Sequence, residues 1–222
     1  FYEFTNFWPC TQQHPDGIEI DGKRWRTTEH YFQAQKFAHV PELVERCRKL
    51  PHPIDCFKMA RDPEFTPHRR TDWNENYPPA GVEGEAGRIK NLVMYNALVA
   101  KFSQDPGLCA LLLSTAADGE ARMIIEHTHK YGVDASRPRH KFDEYWGDGG
   151  VDDWRKGDKG NHLGQLLVRI RGEIQADRTT KYEVPLPKDN GAAPQCVWAP
   201  PAPAPAARTA YVPPSRRPGF DA

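Results

Sequence analysis

Glu29, Gln33 and Lys36 lie within "TTEHYFQAQKF", Thr27 to Phe37. On a helix the spacing i, i+4, i+7 puts all three on one face over two turns. A carboxylate and an amine two turns apart are too distant for an ordinary surface ion pair. Their side chains can still converge on a small ligand lying along the helix. An acid and an amine presented to one pocket are equipment for proton transfer and for attack on an electrophilic carbon. The same pattern also fits a solvated helix face with Tyr31, Phe32 and Phe37 as anchors below it, and periodicity alone favours that plainer reading.

Four other stretches mix polar and large apolar residues in ways that suit a site. "YWGDGG" sets Trp146 and Asp148 among Gly147, Gly149 and Gly150. Consecutive glycines let the backbone approach a ligand and offer it amide N–H groups. "FTNF" carries Asn6, "TDW" carries Trp73 and "IEHT" carries Glu126. Each of these, taken singly, reads first as a structural loop or element end.

The elements that must position these residues are mostly helical. "GIEIDGKRW" predicts a β-hairpin: Ile18 and Ile20 alternate with polar residues, and Asp21-Gly22 supplies the turn. Thr27 or Thr28 caps a helix running to about Ala38. Pro41 opens a second helix carrying Leu43, Val44, Cys47 and Leu50. A third, near 53–61, is predicted to bury Ile54, Phe57 and Ala60. The stretch from Asp62 to Gly87 reads as loop. Ile89, Leu92, Val93, Asn96 and Ala100 mark a further helix, and Leu108, Leu111 and Leu112 another after Pro106. "RMIIEHT" reads as a short strand. Leu163, Leu166, Leu167, Ile170 and Ile174 mark a closing helix that Asn161 is placed to cap. The expected fold is mainly α: a compact multihelical domain over 1–176 with a small β-hairpin and short strands. Residues 177–222 are expected to form a disordered, Pro-rich tail, dispensable for chemistry. Its "PAPAP" run is a weak signal for a binding partner of the tail.

Composition excludes several classes. The 222 residues carry 30 basic and 30 acidic side chains, so the chain is no globally basic nucleic-acid binder, though a local basic patch fits. No apolar run approaches the roughly 20 residues a membrane helix needs, and no signal peptide is visible. The five cysteines are scattered without a CxxC, which argues against a disulfide framework or structural zinc. The expectation is an intracellular protein, in cytoplasm or nucleus, with no membrane partner, metal or cofactor.

Taken in order, "FTNFWP", "DGKRWRTTEHYFQAQKF", "ARD", "LLLSTA", "IEHT", "YWGDGG" and "GNHLGQLLVRIRGEI" closely resemble the NADAR family, also called YbiA-like. The resemblance runs from about Phe4 to Ile174 and leaves out the Pro-rich tail. Asn76 to Gly87 and His129 to His140 look longer than the compact bacterial pattern, which makes them the expected places for a modified substrate entrance. The resemblance implies a multihelical fold and an N-glycosidase activity. Some members remove ADP-ribose from guanine in nucleic acid, and others act on phosphoribosylamino-pyrimidine intermediates of riboflavin synthesis.

Under that implication each residue takes a role. Lys36 attacks C1 of the ribose, provided that aromatics such as Phe32 or Phe37 desolvate it and keep it neutral. Glu29 shuttles the proton. Asp148 fixes ribose hydroxyls or stabilises the developing cation, with Trp73 and Trp146 as stacking faces. Asn6 and Gln33 offer amide hydrogen bonds, Glu126 is a further contact, and the N–H groups from Gly147 to Gly150 suit a phosphate. The expected partner is ADP-ribosylated DNA or RNA, favoured by "HRR" at His68–Arg70 and "RPRHK" at Arg137–Lys141, two basic stretches that read equally as solubilising charge. A small phosphoribosylated pyrimidine is the alternative substrate, and a non-catalytic ADP-ribose or NAD-binding module is the alternative function.

Overall fold

The computed structural model of the chain describes residues 2–11, 14–77, 87–116, 122–126, 145–147 and 160–187. The fold is multihelical, with a two-stranded sheet as its β element among the described residues. Strands β1 (Ile18–Ile20) and β2 (Lys23–Trp25) form the predicted hairpin, with Ile18 opposite Trp25 and Ile20 opposite Lys23. Asp21 and Gly22 both take positive φ, 55° and 71°, as a type I′ turn demands. Ile18, Ile20 and Trp25 turn inward to the core.

Helix α1 (Thr28–Ala34) follows, and its N-terminus is capped by Thr27. The Thr27 hydroxyl accepts from the His30 backbone N–H and meets His30 Nδ1 at 2.8 Å. His30 Nε2 lies 3.1 Å from the Leu50 carbonyl, which can only accept, so Nε2 carries the proton and Nδ1 accepts from Thr27. The predicted helix to Ala38 stops short. The chain tightens into a 3₁₀ turn over Gln35–Phe37 instead. More important, no face of α1 is solvated: all seven of its residues are buried. Helices α2 (Pro41–Lys49), α3 (Pro53–Met59) and α4 (Ile89–Gln104) pack around it.

Helix α3 buries Ala60 as predicted and half-buries Phe57, but Ile54 is 41% exposed and Cys56 and Met59 turn inward instead. The loop predicted from Asp62 contains two 3₁₀ turns, Thr66–His68 and Thr71–Asn74. Helix α4 is the central element, buried over most of its circumference. Its Lys101 is fully buried and donates to the Thr5 carbonyl at 2.9 Å, tying down the N-terminal segment. Asp105 caps α5 (Pro106–Ser114) by accepting from Gly107 N and Leu108 N.

Helix α6 (His162–Gln175) closes the domain with Leu163, Leu166, Leu167 and Ile170 inward. Asn161 occupies the cap position, yet its side chain makes no cap. Its amide instead donates to the Ile124 carbonyl and accepts from Glu126 N. Carbonyls of Tyr145, Trp146 and Gly147 accept the N–H groups of His162, Leu163 and Asn161. Residues 122–126 are therefore not the predicted strand: they hydrogen-bond to side chains of Asn161 and Arg171 rather than to a partner strand.

The chain beyond α6 continues along the domain, and the compact unit reaches Lys188. Lys181 pairs with Asp21 at 2.5 Å, Tyr182 exchanges two hydrogen bonds with Asn96, and the Pro185 carbonyl accepts from Arg70. Among the described residues, no helix is long and apolar enough to cross a membrane, and no cluster of His, Cys, Asp or Glu has the makings of a metal site.

Candidate active site

Burial of α1 decides what its polar residues are. A carboxylate that leaves water for a helix core costs several kcal/mol unless partners replace its hydration. Glu29 is 5% exposed and Gln33 2%. Gln33 Nε2 donates to Glu29 Oε1 at 2.7 Å, which fixes the amide with its oxygen turned away from the carboxylate. That Gln33 oxygen is buried and has no hydrogen-bond partner among the described residues. An acceptor left in that state costs about 1–3 kcal/mol, so its position beside Glu29 is that of an acceptor awaiting a donor from a ligand.

Lys36 sits in the 3₁₀ turn after α1. A 3₁₀ turn rises about 2.0 Å per residue against 1.5 Å in an α-helix, so Lys36 lies roughly 12 Å along the axis from Glu29. The Lys36 ammonium lies 5.5 Å from the centre of the Phe32 ring and 5.7 Å from that of Trp73. Desolvation by these surroundings lowers its pKa to about 8, Arg61 and Arg69 push the same way, and Glu29 opposes them. At pH 7 about a tenth of such an amine is neutral, several hundred times more than for a lysine in water.

Phe32 is the hub of an aromatic cluster. Trp73 meets it edge-on at 5.1 Å between ring centres, and Trp146 does so at 5.4 Å. Beside the cluster a cavity of about 330 Å³ opens, lined by Lys36, Arg69, Arg70, Thr71, Trp73 and Asn74 among others. Arg70 is buried and forks onto Asp72 at 2.6 and 2.9 Å, which holds the Asp72 carboxyl below the usual range. Its backbone N–H donates to the Lys36 carbonyl at 2.8 Å.

The structure brings Lys36, Trp73 and Trp146 together around Phe32, and pairs Gln33 with Glu29 on the same buried helix. It places the others elsewhere or gives them other work. The Asn6 carbonyl accepts from Glu29 N and, with its side-chain oxygen, from the Thr28 hydroxyl, so Asn6 anchors the start of α1. Glu126 lines a separate cavity of about 630 Å³ with Arg122 and Leu163. Gly147 is buried, and its carbonyl holds the start of α6. Asp148 and Gly149 lie outside the described residues, as do Gly150, "RPRHK" and most of the two longer stretches. Arg61 and Arg69, which flank the amine, were not singled out as site residues. Arg70 of the basic "HRR" turns inward onto Asp72, so that stretch offers less charge to a polyanion than its sequence promises. The run "RRTDW" already holds the Arg70–Asp72 pair, but only the fold shows which arginine faces the cavity.

Residues 1–175 match the NADAR domain. The N-glycosidase YbiA of Escherichia coli strain K12 is 35% identical over 79% of this chain and 83% of its own length. A chloroplastic riboflavin biosynthesis protein of Zea mays, PYRR, is 32% identical over 83% of this chain and 25% of its own. A riboflavin biosynthesis protein of Vibrio vulnificus is 32% identical over 77% of this chain and 35% of its own. The NMR structure of the E. coli protein YbiA superimposes with a TM-score of 0.54, covering 79% of both chains at 34% identity. On the domain match and on identity sustained over most of the E. coli protein, this chain belongs to the NADAR domain family.

Proposed function

We propose that the protein is an N-glycosidase that hydrolyses a ribosyl C1–N bond, with Lys36 as nucleophile and Glu29 as the proton-transfer group. The observation that carries this reading is a lysine packed against Phe32 and Trp73 with its pKa lowered to about 8, one helix face away from a buried carboxylate. The names of the E. coli and Nostoc punctiforme relatives, both N-glycosidases, support it. The neutral amine adds to C1 while the C1–N bond to the base breaks, and the base leaves with a proton that Glu29 moves. The C1–O bond of the ring then opens, giving a Schiff base between Lys36 and the open sugar. Water adds to that C=N bond and releases the free sugar and the amine. The open Gln33 oxygen is placed to accept from a ribose hydroxyl or a base N–H.

The preferred substrate is ADP-ribose joined to guanine in DNA or RNA. Arg61 and Arg69 beside the amine suit a pyrophosphate, and Trp73 a purine face. Such a substrate goes with a cytoplasmic or nuclear protein. The names of the Zea mays and Vibrio vulnificus relatives favour a second reading, a phosphoribosylamino-pyrimidine. Incubation with guanine-ADP-ribosylated DNA and, separately, with the phosphoribosylamino-pyrimidine decides between them, with base release followed by chromatography. Guanine-bearing DNA freed of ADP-ribose supports the first. Release of the pyrimidine alone supports the second. Release from neither sinks the glycosidase reading.

A further inference from the structure

The 3₁₀ turn that carries Lys36 is closed from behind by Arg70, whose backbone N–H donates to the Lys36 carbonyl at 2.8 Å. The Arg70 side chain has no exposure, and its guanidinium joins two further elements. It forks onto Asp72 in the 3₁₀ turn that carries Trp73, and it donates at 2.8 Å to the Pro185 carbonyl in the segment after α6. That segment is held at two further points. The side chain of Asn96 on α4 accepts from Tyr182 N at 2.9 Å and donates to the Tyr182 carbonyl at 2.7 Å. The Tyr182 ring stacks tilted against Tyr95 at 4.8 Å, with the Arg169 guanidinium over it.

We propose that residues 179–187 form a strap that fixes the Lys36 cavity through Arg70, and that Arg70 is a positioning residue for the amine. One residue here links three elements: Arg70 holds the lysine turn through its backbone N–H, and the tryptophan turn and the strap through its guanidinium. A buried guanidinium N–H that loses its acceptor is left unsatisfied. Lifting the strap takes the Pro185 carbonyl from Arg70, which keeps Asp72 as its counter-ion but loses its contact on the strap side. Arg70, and with it the Lys36 turn, is then held less firmly, and more water reaches the amine. The ionisable groups acting on Lys36 are Glu29 on α1, Cys47 on α2, Arg61 after α3 and Arg69 ahead of the strap's anchor. None of them lies on the strap, so any effect of the strap on Lys36 acts through packing and solvation. Loss of desolvation raises a lysine pKa toward its ordinary value.

The test reads Lys36 directly and needs no substrate, so it stands apart from the glycosidase reading. Pulsed labelling with acetic anhydride across pH, followed by peptide mass spectrometry, gives the midpoint at which Lys36 becomes reactive. Four proteins are compared: the full chain, a chain ending at Lys188, a chain ending at Arg178, and Asn96→Ala in the full chain. Asn96 does not line the Lys36 cavity, and both of its side-chain hydrogen bonds go to Tyr182 of the strap. The expected result is a midpoint near 8 in the first two, raised by about one unit or more in the last two. Arg70→Lys should raise it as well, since an ammonium cannot fork onto Asp72 and reach Pro185 together. A folded Arg178-ended chain or a folded Asn96→Ala protein with the midpoint of the full chain overturns the proposal. Should every altered protein fail to fold, hydrogen exchange on the unaltered chain decides. The Tyr182 and Arg70 amides must then open together with denaturant, and independent opening overturns the strap.

Discussion

At the scale of the residue, the decisive quantity is the protonation of Lys36. An amine attacks only when neutral, and burial against Phe32 and Trp73 lowers its pKa to about 8. If that deprotonation limits turnover, kcat/KM should rise with pH and level off above about 8, whereas a lysine in water would give a limb near 10. A pH–rate profile flat from 6 to 9 would remove Lys36 from the chemistry. Lys36→Ala should abolish turnover while circular dichroism stays unchanged, and Lys36→Arg should fail too, because guanidinium stays protonated. Borohydride reduction during turnover should leave a ribose-containing mass on the Lys36 peptide. Glu29→Gln keeps the side chain's shape and removes proton transfer, so kcat should fall by about 10²–10⁴. A smaller loss measured in the steady state would give the proton to another group. Spacing alone made Glu29, Gln33 and Lys36 legible as one face. Their burial was not legible, because a fully enclosed seven-residue helix with four polar side chains looks amphipathic until its neighbours are known. The same limit hid the part played by Asn6, which anchors α1 through its side-chain oxygen and also through its carbonyl, a group every residue shares.

At the scale of the element, local turn and cap chemistry was readable and long-range packing was not. The Asp21-Gly22 turn, the Asp105-Pro106 start of α5 and the apolar stripe of α6 follow from residues adjacent in sequence. The face of α3 was partly misassigned, because Cys56 and Met59 pack inward while Ile54 remains 41% exposed. Residues 122–126 look like a strand because Ile124 and Ile125 are β-branched. The Asn161 and Arg171 side chains take up their backbone groups instead. That contact is close enough to test. A Cβ on Gly164 would lie 2.0 Å from the Ile124 carbonyl oxygen, a backbone atom that cannot swing aside. Glycine to alanine in a helix interior ordinarily stabilises by about 1 kcal/mol. Here overpacking should outweigh that gain, and Gly164→Ala should lose about 1–3 kcal/mol in urea unfolding. A stabilised Gly164→Ala protein would show that 122–126 does not rest on α6.

At the scale of the whole molecule, the question is where the working domain ends. Composition places the change near Asp177, ahead of the prolines that begin at Pro185. The contacts of Lys181, Tyr182 and Pro185 carry the compact unit to Lys188. A proline can anchor through its carbonyl without donating a hydrogen bond, as Pro185 does with Arg70. Beyond Lys188 the sequence carries Pro194, Pro200, Pro201, Pro203, Pro205, Pro213, Pro214 and Pro218, with Trp198, Tyr211 and Phe220 as isolated aromatics. Such a composition has little apolar area to set against about 1–2 kcal/mol of backbone entropy per ordered residue. Removal of residues 189–222 should therefore leave turnover within about tenfold of the full chain, or roughly 1.4 kcal/mol of barrier. Thermal unfolding should keep its midpoint as well. Removal back to Arg178 should cost more on both measures, since it takes the Asn96 and Arg70 partners away. Equal losses at the two cut points would mean that the Pro-rich region builds part of the site and that the strap adds nothing beyond it.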